Sequence, residues 1–370
     1  MQSIAQKCEI ITIFALIQAI HLQLFGAMSG LKRITIHDIA RSLGVSASTV
    51  SRALQNSSRI SPSVRKAVRA EAERLNYLPN SVASQLRTGK GKSLGVIVPR
   101  IDRHFFASVI GGIERVAMEA GYMPVICQSD ESFEKEKAAV EALIRKKIDG
   151  IAVSLASGTH DTQHFDRLRA AGIPVVFFDR VPLQVRSSCV TTNDFQGAYR
   201  TVLHLIDQGC SRIAHFAGPL HISVYKNRYE GYCAALTDRG LTPDPTLLMS
   251  NAITFETGER AAHALCGLKE PPDGLFSSGD FAALAALQVF KKAQIAVPGR
   301  ICVAGFANEL FDAYIEPALT SVDQQSRRMG EEVAKRLIAE MLDPLDGPGI
   351  SVVLEPELIV RSSSLRNRNL

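Results

Sequence analysis

The stretch TIHDIARSLGVSASTVSRALQ, residues 35–55, decides the fold of the amino-terminal part of the chain. Thr35 and Asp38 have the spacing of a capping box, which predicts a helix that begins directly after Thr35. Gly44 can adopt the positive φ that a tight interhelical turn needs, and Ser46 can cap the next helix. Two short amphipathic helices joined by such a turn predict a helix-turn-helix. The pair Ser61-Pro62 predicts the start of a third helix.

Positive charge is concentrated around this motif. Residues 30–91 contain 11 Lys and Arg against three acidic residues, a net charge of +8, whereas all 370 residues carry only +5. A basic module of this size usually binds a polyanion, although a solvated basic surface is the alternative on charge alone. Charge and motif together predict a DNA-binding domain.

The second helix of the motif is expected to enter the major groove of DNA. Arg52 is the best candidate to read a base, since its guanidinium fork fits the guanine edge. Ala47 and Ser48 are short enough to approach the bases. Phosphate contacts, which position the helix without reading sequence, are expected from four hydroxyl residues. They are Thr35, Ser46, Thr49 and Ser51.

The next segment, NYLPNSVASQLRTGKGKS (76–93), predicts a short helix and a linker. Pro79 ends the third helix, and Asn80 can cap a helix that carries Val82 and Leu86 on one face. So few residues are not helical alone in water, so this segment needs its copy in a dimer or DNA as a partner. The ending Gly91-Lys92-Ser93 does not predict a phosphate loop, because Leu86 stands where its first glycine belongs.

From residue 92 onward, apolar runs alternate with segments of helical period. The runs are 93–98, 123–128, 149–154 and 173–179, then 189–194, 212–218, 273–278 and 300–306. Buried strands that alternate with helices predict doubly wound parallel sheets, and two series predict two α/β halves. Residues 319–324 are expected to return toward the first half, and 350–363 to form a hairpin.

A ligand is expected in the cleft between two such halves, beyond the carboxyl ends of the strands. Charged, amide and aromatic side chains follow the predicted strands at this edge. Each alone could be a structural cap or ion pair, but their common edge favours a site for a polyhydroxylated ligand. They are Phe105, Phe106, Asp179, Arg180, Arg228, Asp280, Asn308 and Gln324.

These motifs resemble the lactose/galactose repressor family (LacI/GalR) of bacterial transcription regulators, over about nine-tenths of the chain. The resemblance implies that Ala47, Ser48 and Arg52 read the operator. It also implies that Asn80, Ala83 and Leu86 lie at the DNA, with Leu86 wedged into a minor-groove base step.

For the body, the resemblance implies a periplasmic-binding-protein-like fold around a sugar or purine effector, with Arg228 as its firmest site residue. Two positions depart from the sugar-binding pattern. Gly279 replaces an Asn, and Ala307, beside Asn308, replaces an Asp. A plain neutral hexose is therefore disfavoured, and a modified, larger or phosphorylated ligand is open.

The expected domain boundaries follow. An extension covers 1–28, the helix-turn-helix domain 30–78, and the hinge helix with its linker 79–91. The amino-terminal subdomain of the body covers 92–191 with 323–348. The carboxyl-terminal subdomain covers 192–322 with 349–365.

The apolar run 10–20 could be a membrane helix, a signal peptide or translated upstream sequence. Polar residues interrupt it after position 17, and Phe25 occupies a cleavage-site position that wants a small residue. We favour the third interpretation, with Met28 as the working start. Seven scattered cysteines without a C-x-x-C pair predict reduced thiols and no zinc site, and no other metal or cofactor is expected.

We therefore expect a DNA-binding transcriptional regulator, with repression the favoured mode, controlled by a sugar or sugar derivative. It would act as a homodimer or higher oligomer at the nucleoid in the bacterial cytoplasm, without contact to a membrane. A periplasmic sugar-binding protein shares the body but has no use for a basic helix-turn-helix. A sugar-processing enzyme lacks any motif for a nucleophile, metal or dinucleotide.

Overall fold

The computed structural model describes residues 34–77, 91–182, 187–345 and 347–366. The chain divides into two compact units, residues 1–84 and residues 85–370. The expected extension 1–28 and, apart from Gly91, the expected hinge segment with Asn80, Ala83 and Leu86 lie outside the described residues. In the part of the chain that is described, no helix is both long and apolar enough to cross a membrane.

The first unit contains three helices, α1 (Ile36–Leu43), α2 (Ala47–Leu54) and α3 (Pro62–Arg74). The Asp38 carboxylate accepts hydrogen bonds from the Thr35 amide and hydroxyl at 2.9 and 2.7 Å, which closes the predicted cap of α1. Gly44 ends α1 with φ +64°, as the turn requires. Ser46 accepts the Thr49 amide, and Ser61 caps α3 ahead of its proline.

A small core holds these helices together. Ile39, Val50 and Val68 contribute one fully buried side chain from each helix, and Ala40 and Ala72 fill the space between them. The predicted helix-turn-helix is therefore confirmed, with helices that begin directly after Thr35, Ser46 and Ser61.

The second unit consists of alternating strands and helices. In chain order they are β1 (Ser93–Val98), α4 (His104–Glu119), β2 (Met123–Gln128), α5 (Phe133–Arg145), β3 (Gly150–Val153), α6 (Asp166–Ala170), β4 (Val175–Phe178), β5 (Cys189–Thr192), α7 (Asp194–Asp207), β6 (Ile213–Phe216), α8 (Ser223–Asp238), β7 (Leu248–Met249), α9 (Phe255–Cys266), β8 (Gly274–Ser277), α10 (Asp280–Lys292), β9 (Cys302–Ala304), β10 (Ser321–Asp323), α11 (Ser326–Leu342), β11 (Ser351–Leu354) and β12 (Glu357–Ile359). Short 3₁₀ helices lie at Gln163–Phe165, Pro245–Leu247 and Leu310–Ala313.

Two parallel sheets organise these elements into two halves. The first sheet has the order β11-β5-β4-β3-β1-β2, and the second β7-β6-β8-β9. Each sheet is covered by its own buried apolar clusters. The predicted doubly wound architecture with two α/β halves is confirmed.

Helix α11 packs tightly against α4 in the first half. A side-chain carbon on Gly112 would lie 2.2 Å from the Arg327 carbonyl, and one on Gly330 would lie 2.0 Å from the Val109 carbonyl. Only glycine permits so close a crossing. The chain thus returns to the first half after completing the second sheet.

The end of the chain differs from the expectation. No hairpin forms among the described residues of 350–363: β11 pairs in parallel with β5 in the first sheet, and β12 pairs antiparallel with β10. The reason is burial in separate cores, since Leu354 packs in the first half and Leu358 packs against a cluster of the second half. Assigning all of 349–365 to the carboxyl-terminal subdomain is wrong for Ser351–Leu354.

The run 189–194 also differs from the expectation, which made it the first strand of the second series. It opens the second series in sequence, yet β5 pairs with β4 and lies in the first sheet. Val190 is fully buried in the first core, and this burial decides the placement.

Candidate functional site: DNA-binding helix and effector cleft

Helix α2 presents polar atoms on its exposed side. Ser48 and Arg52 are exposed, and Ala47, Thr49 and Ser51 are half-buried. Val50 and Ala53 point into the core, which fixes the rotation of the helix. Ser48 and Arg52 therefore lie away from the core, whereas Ala47 also packs against it.

Hydroxyl groups cluster at the amino terminus of α2. Ser46 Oγ lies 2.8 Å from Ser48 Oγ and 2.9 Å from Thr49 Oγ1. A helix amino terminus that carries several hydroxyl groups suits a phosphate group, because the helix dipole favours negative charge there. Thr35 is exposed at the amino terminus of α1, the second such position.

Arg52 lies one turn further along α2. Within residues 34–77 its guanidinium forms no ion pair, unlike Arg74, which makes two 2.7 Å hydrogen bonds to Glu71. The Glu71 pKa is lowered to about 2 by Arg74 and by the Ser42 hydroxyl. Asp38 and Glu71 are thus engaged with other residues, and the Arg52 fork is available to an external acceptor.

The candidate effector cleft is built at the carboxyl ends of the first-sheet strands. Asp179 directly follows β4 with φ +57°, and Asp194 begins α7 two residues after β5. Arg228 on α8 reaches Asp194 Oδ1 from Nε at 2.8 Å and from Nη2 at 2.7 Å. Its Nη1 donates to the Ser278 carbonyl at 2.8 Å, so one guanidinium links three elements.

Asp179 is the carboxylate with the fewest protein partners at this site. Its side chain accepts one long hydrogen bond, from Ser154 Oγ at 3.4 Å. Burial raises the pKa of Asp179 to about 6, with Arg180 and Arg228 opposing and Asp194 reinforcing the shift. Burial also raises the pKa of Asp194, against the attraction of Arg228. A buried carboxylate with one weak partner is suited to accept hydrogen bonds from ligand hydroxyls.

Arg180 is turned toward the first half and toward Tyr225. Its Nη1 donates to Glu131 Oε2 at 2.7 Å, and Glu131 also accepts the Ser157 amide. The Tyr225 ring lies 5.9 Å from the Arg180 guanidinium and 5.7 Å from that of Arg228. Tyr225 therefore stands between the two arginines.

The wall behind Arg228 is aromatic. The guanidinium lies 3.7 Å from the centre of the Phe306 ring, a stacking that suits the planar arginine head. Nearby, His215 Nδ1 donates to the Phe276 carbonyl at 3.0 Å, and the His215 ring stacks on the Phe276 ring. Burial lowers the pKa of His215 to about 4, so it is neutral at pH 7.

Three further predicted residues are as buried as the charged cluster. Phe105 and Phe106 begin α4 in an edge-to-face pair and belong to the first core. Gln324 is 3% exposed, and its side-chain nitrogen has no acceptor among the described residues.

Asp280 and Asn308 have their polar atoms engaged within the second half. Asp280 accepts Ser321 Oγ at 2.8 Å, and Asn308 bonds to Asp323 and Arg361 at 3.2 and 2.7 Å. Burial and the nearby Asp280 raise the pKa of Asp312 to about 10, so Asp312 is neutral at pH 7. The structure therefore joins Asp179, Arg180 and Arg228 but gives Asp280 and Asn308 internal partners.

Sequence reasoning missed Asp194 and Tyr225. Asp194 ends the run 189–194 at the same strand edge as Asp179, a signal that could have identified it. Tyr225 precedes Arg228 by three residues, which places both on one face of a helix. The position of Asp194 after a strand and the helical spacing of Tyr225 and Arg228 do not by themselves show that Asp194 pairs with Arg228.

Besides Arg180 and Tyr225, two further contacts between described residues join the halves; we call them the rim contacts. The Arg103 guanidinium lies 4.1 Å from the centre of the Phe281 ring. His221 Nε2 lies 3.1 Å from the Ser157 carbonyl, and its ring packs on His160. The halves touch through these groups in this arrangement.

A cavity of about 1120 Å³ lies elsewhere, at the amino ends of β3 and β4, and is lined in part by Asp149, Ile173 and Glu340. Its lining reaches Pro182 and Ser187, on either side of residues outside the described part. None of the charged residues that converge in the cleft (Asp179, Arg180, Asp194 and Arg228) lines this cavity. We therefore take the cleft as the better candidate for the effector site. No cluster of metal-ligating side chains occurs in the ranges that the structure covers.

Two family models match the chain. The model for bacterial regulatory proteins of the lacI family matches residues 35–80, and a periplasmic binding protein-like domain matches residues 202–364. The HTH-type transcriptional repressor PurR of Pasteurella multocida is 30% identical over 330 residues, covering 89% of this chain and 98% of that protein. The chain belongs to the LacI family.

Other relatives agree with this membership. The HTH-type transcriptional repressor CytR of Escherichia coli K12 is 30% identical over 89% of this chain and 96% of its own length. The lac repressor dimer bound to operator and the anti-inducer ONPF has a TM-score of 0.81 at 25% identity, with 90% of this chain and all of that chain covered. The CelR–cellobiose complex has a TM-score of 0.69 at 29% identity over 90% of this chain and all of its own.

This LacI-family chain is therefore a DNA-binding transcriptional regulator with an effector-binding body. The periplasmic alternative is set aside, because the matched relatives are repressors and extend through the helix-turn-helix. Members of the family are DNA-binding regulators and not enzymes.

Proposed function

We propose that this regulator is a cytoplasmic homodimer that represses transcription and changes its operator affinity when a sugar derivative binds in the cleft. The proposal rests on one combination of features in a single chain. Arg52 on α2 is exposed and forms no ion pair within residues 34–77, and the body contains a cleft with Asp179 and Arg228. Arg52 supplies direct base readout. Hydroxyl groups around α2 hold the phosphates.

The chemistry of the cleft supports a polyhydroxylated ligand. Asp179 accepts hydrogen bonds from ligand hydroxyls, and the unpaired amide nitrogen of Gln324 donates to a ligand oxygen. Tyr225 and Phe306 offer aromatic faces next to Arg228. Carbohydrate rings present both hydroxyls and apolar faces to such a site.

The absence of side-chain amide and carboxyl groups at positions 279 and 307 favours a derivative over a plain hexose. A side-chain carbon on Gly279 would have the Ile253 carbonyl at 3.8 Å as its nearest neighbour, so the wall is open there. A substituent on the sugar has room at that point. The relative CelR was solved with cellobiose, and a disaccharide is one ligand of suitable size.

A two-stage experiment tests this function. First, the full-length protein is screened by thermal shift against hexoses, disaccharides, nucleosides and sugar phosphates. Each ligand that raises the melting temperature is then added to a titration of the DNA upstream of the gene. We expect one ligand to change operator affinity, and operator to change the affinity for that ligand by the same factor, as linkage requires.

The control variant is Arg228→Lys, which keeps the charge opposite Asp194 but loses the fork. It should respond only at higher ligand concentration, while its operator affinity without ligand stays near that of the wild type. A ligand that binds tightly and leaves DNA affinity unchanged would contradict control through the cleft.

A further inference from the structure

Two cysteines of the second half lie next to one another, far along the chain from each other. Cys210 lies between α7 and β6, and Cys302 is the first residue of β9. Strand β8 separates β6 from β9 in the sheet, and Gly274 is its first residue. A side-chain carbon on Gly274 would lie 3.2 Å from Cys210 Sγ, so this glycine leaves room for the Cys210 side chain to cross β8.

One carbonyl oxygen gathers the groups around this pair. The Asp273 carbonyl accepts Cys210 Sγ at 3.1 Å, the Cys302 amide at 3.0 Å and Arg366 Nη2 at 3.0 Å. Both cysteines belong to one apolar cluster, and Cys302 lies opposite Gly274 in the register of β8 and β9. The Cys210 sulfur, the Cys302 amide and the Arg366 guanidinium thus meet at one oxygen atom, and Arg366 Nε and Cys302 Sγ share the Pro298 carbonyl at 3.0 and 3.7 Å.

The charge of Arg366 favours a thiolate at this place. The neighbouring Cys210 thiol lowers the pKa of Cys302, and Arg366 acts in the same direction against burial. The proximity of Cys302, together with burial, raises the pKa of Cys210. One sulfur is therefore the better nucleophile, and the other retains the proton.

The pair is covered by the end of the chain. Cys210 is 2% exposed and Cys302 is fully buried, and Cys302 Sγ lies 3.6 Å from the Ser364 carbonyl. A surface cavity of about 590 Å³ is lined by Pro298, Ser362, Leu365 and Arg366 among others. The Pro298 carbonyl at this cavity is 3.7 Å from Cys302 Sγ, so one layer of backbone separates the sulfur from solvent.

We propose that Cys210 and Cys302 form a peroxide-sensitive thiol pair that closes to an intramolecular disulfide when the segment 361–366 opens locally. The proposal rests on two neighbouring cysteines, on the adjacent Arg366, and on a surface cavity that one layer of backbone separates from Cys302. The pair is separate from the effector cleft and from the DNA-binding helix.

The chemistry balances with hydrogen peroxide as the oxidant. The Cys302 thiolate attacks one peroxide oxygen, the O–O bond breaks, and the departing hydroxide takes a proton to become water. Cys302 is then a sulfenic acid. The Cys210 sulfur attacks the Cys302 sulfur, the S–O bond breaks, and the leaving oxygen departs as water with the Cys210 proton. Two thiols are oxidised, and one peroxide is reduced to two waters.

The test treats the reduced full-length protein with graded hydrogen peroxide. Remaining thiols are then blocked, and the protein is digested without reductant for peptide mass mapping. We expect a peptide that joins Cys210 to Cys302, lacking two hydrogen atoms and released by dithiothreitol. Oxidation of the half-buried Cys127, Cys233 and Cys266 to sulfinic acids while this pair stays reduced would overturn the proposal. This readout needs no variant.

Variants then test the assigned roles. Arg366→Gln should slow disulfide formation several-fold at neutral pH, whereas Arg300→Gln, whose side chain bonds the neighbouring Pro272 carbonyl, should not. Cys210→Ser should leave Cys302 as a sulfenic acid that dimedone traps, and Cys266→Ser should form the disulfide normally. Equal rates in the two arginine variants, or no trapped sulfenic acid, would overturn the roles given to Arg366 and Cys302.

Discussion

At the scale of single residues, Arg228 and Asp194 form the ion pair on which the cleft depends. Their side chains are only 6% and 3% exposed, so neither charge has water as a substitute partner. A buried ion pair adds little net stability, yet losing one partner leaves a stranded charge. The pair thus fixes the arrangement of α7 and α8 around the ligand position.

Arg228→Ala should destabilise the protein by about 3–5 kcal/mol, because the Asp194 carboxylate is left buried and unpaired. The double variant Arg228→Ala with Asp194→Ala should cost less than the sum of the two single changes. Denaturant unfolding of all four proteins gives this cycle. Additive losses would show that the two side chains are not coupled.

Asp179 makes stability depend on pH. Its pKa is raised from 3.8 to about 6 in the folded protein, so its contribution to stability is complete below its unfolded pKa and is lost as pH rises through 6. Relative to Asp179→Asn, which does not titrate, the wild type should lose up to about 3 kcal/mol between acid and neutral pH. Unfolding of both proteins across this range measures the difference, and a difference independent of pH would contradict the buried, weakly bonded Asp179.

At the scale of elements, the turn between α1 and α2 sets how the DNA-reading helix is held. Gly44 has φ +64°, and no atom lies within 4 Å of a side-chain carbon built there. The cost of a substitution is therefore backbone strain and not a clash. Residues that tolerate the left-handed region should be the best replacements.

Gly44→Ala should destabilise the helix-turn-helix unit by about 1–2 kcal/mol, and Gly44→Asn by less. Gly267→Ala is the matched control, since Gly267 has φ −84° and its nearest neighbour would be 3.6 Å away. Hydrogen exchange of the amides in α1 and α2 should show faster opening for Gly44→Ala alone. Equal protection in both alanine variants would contradict the requirement for glycine in this turn.

Local signals predicted some elements and not others. The caps at Thr35, Ser46 and Ser61 act within one turn of chain, so they can be read directly from neighbouring residues. The placement of β5 and β11 depends on which core buries Val190 and Leu354, which adjacent residues do not encode. For the same reason, the position of Asp179 at a strand end identified it as a candidate. The same signal could not show that Asp280 is hydrogen-bonded to Ser321 and Asn308 to Arg361.

At the scale of the whole molecule, the two halves of the body touch at the rim through groups that do not line the charged cluster. Arg103 packs on Phe281 from the opposite half, and His221 approaches the Ser157 carbonyl. Contacts that form in only one arrangement of the two halves shift the conformational equilibrium toward that arrangement. Effector binding and rim contacts should therefore reinforce one another.

Arg103→Ala should weaken effector binding by roughly 0.5–1 kcal/mol, the value of an exposed cation–π contact, without touching the ligand. Arg115→Ala is the control, because Arg115 pairs with Glu119 and Glu331 within the first half. Calorimetric titration with the ligand found by thermal shift compares the variants. Equal affinities for both would show that the rim contact does not favour the ligand-bound arrangement.

In the proposed symmetric dimer, we expect α2 to read operator sequence through Arg52. Selection of bound DNA from a random library by full-length wild type and by Arg52→Lys tests it most directly, since lysine keeps the charge and loses the fork. We predict that the wild type enriches an inverted repeat and that Arg52→Lys relaxes one base position in each half-site. Enrichment of no inverted repeat, or identical base preferences for both proteins, would contradict the account.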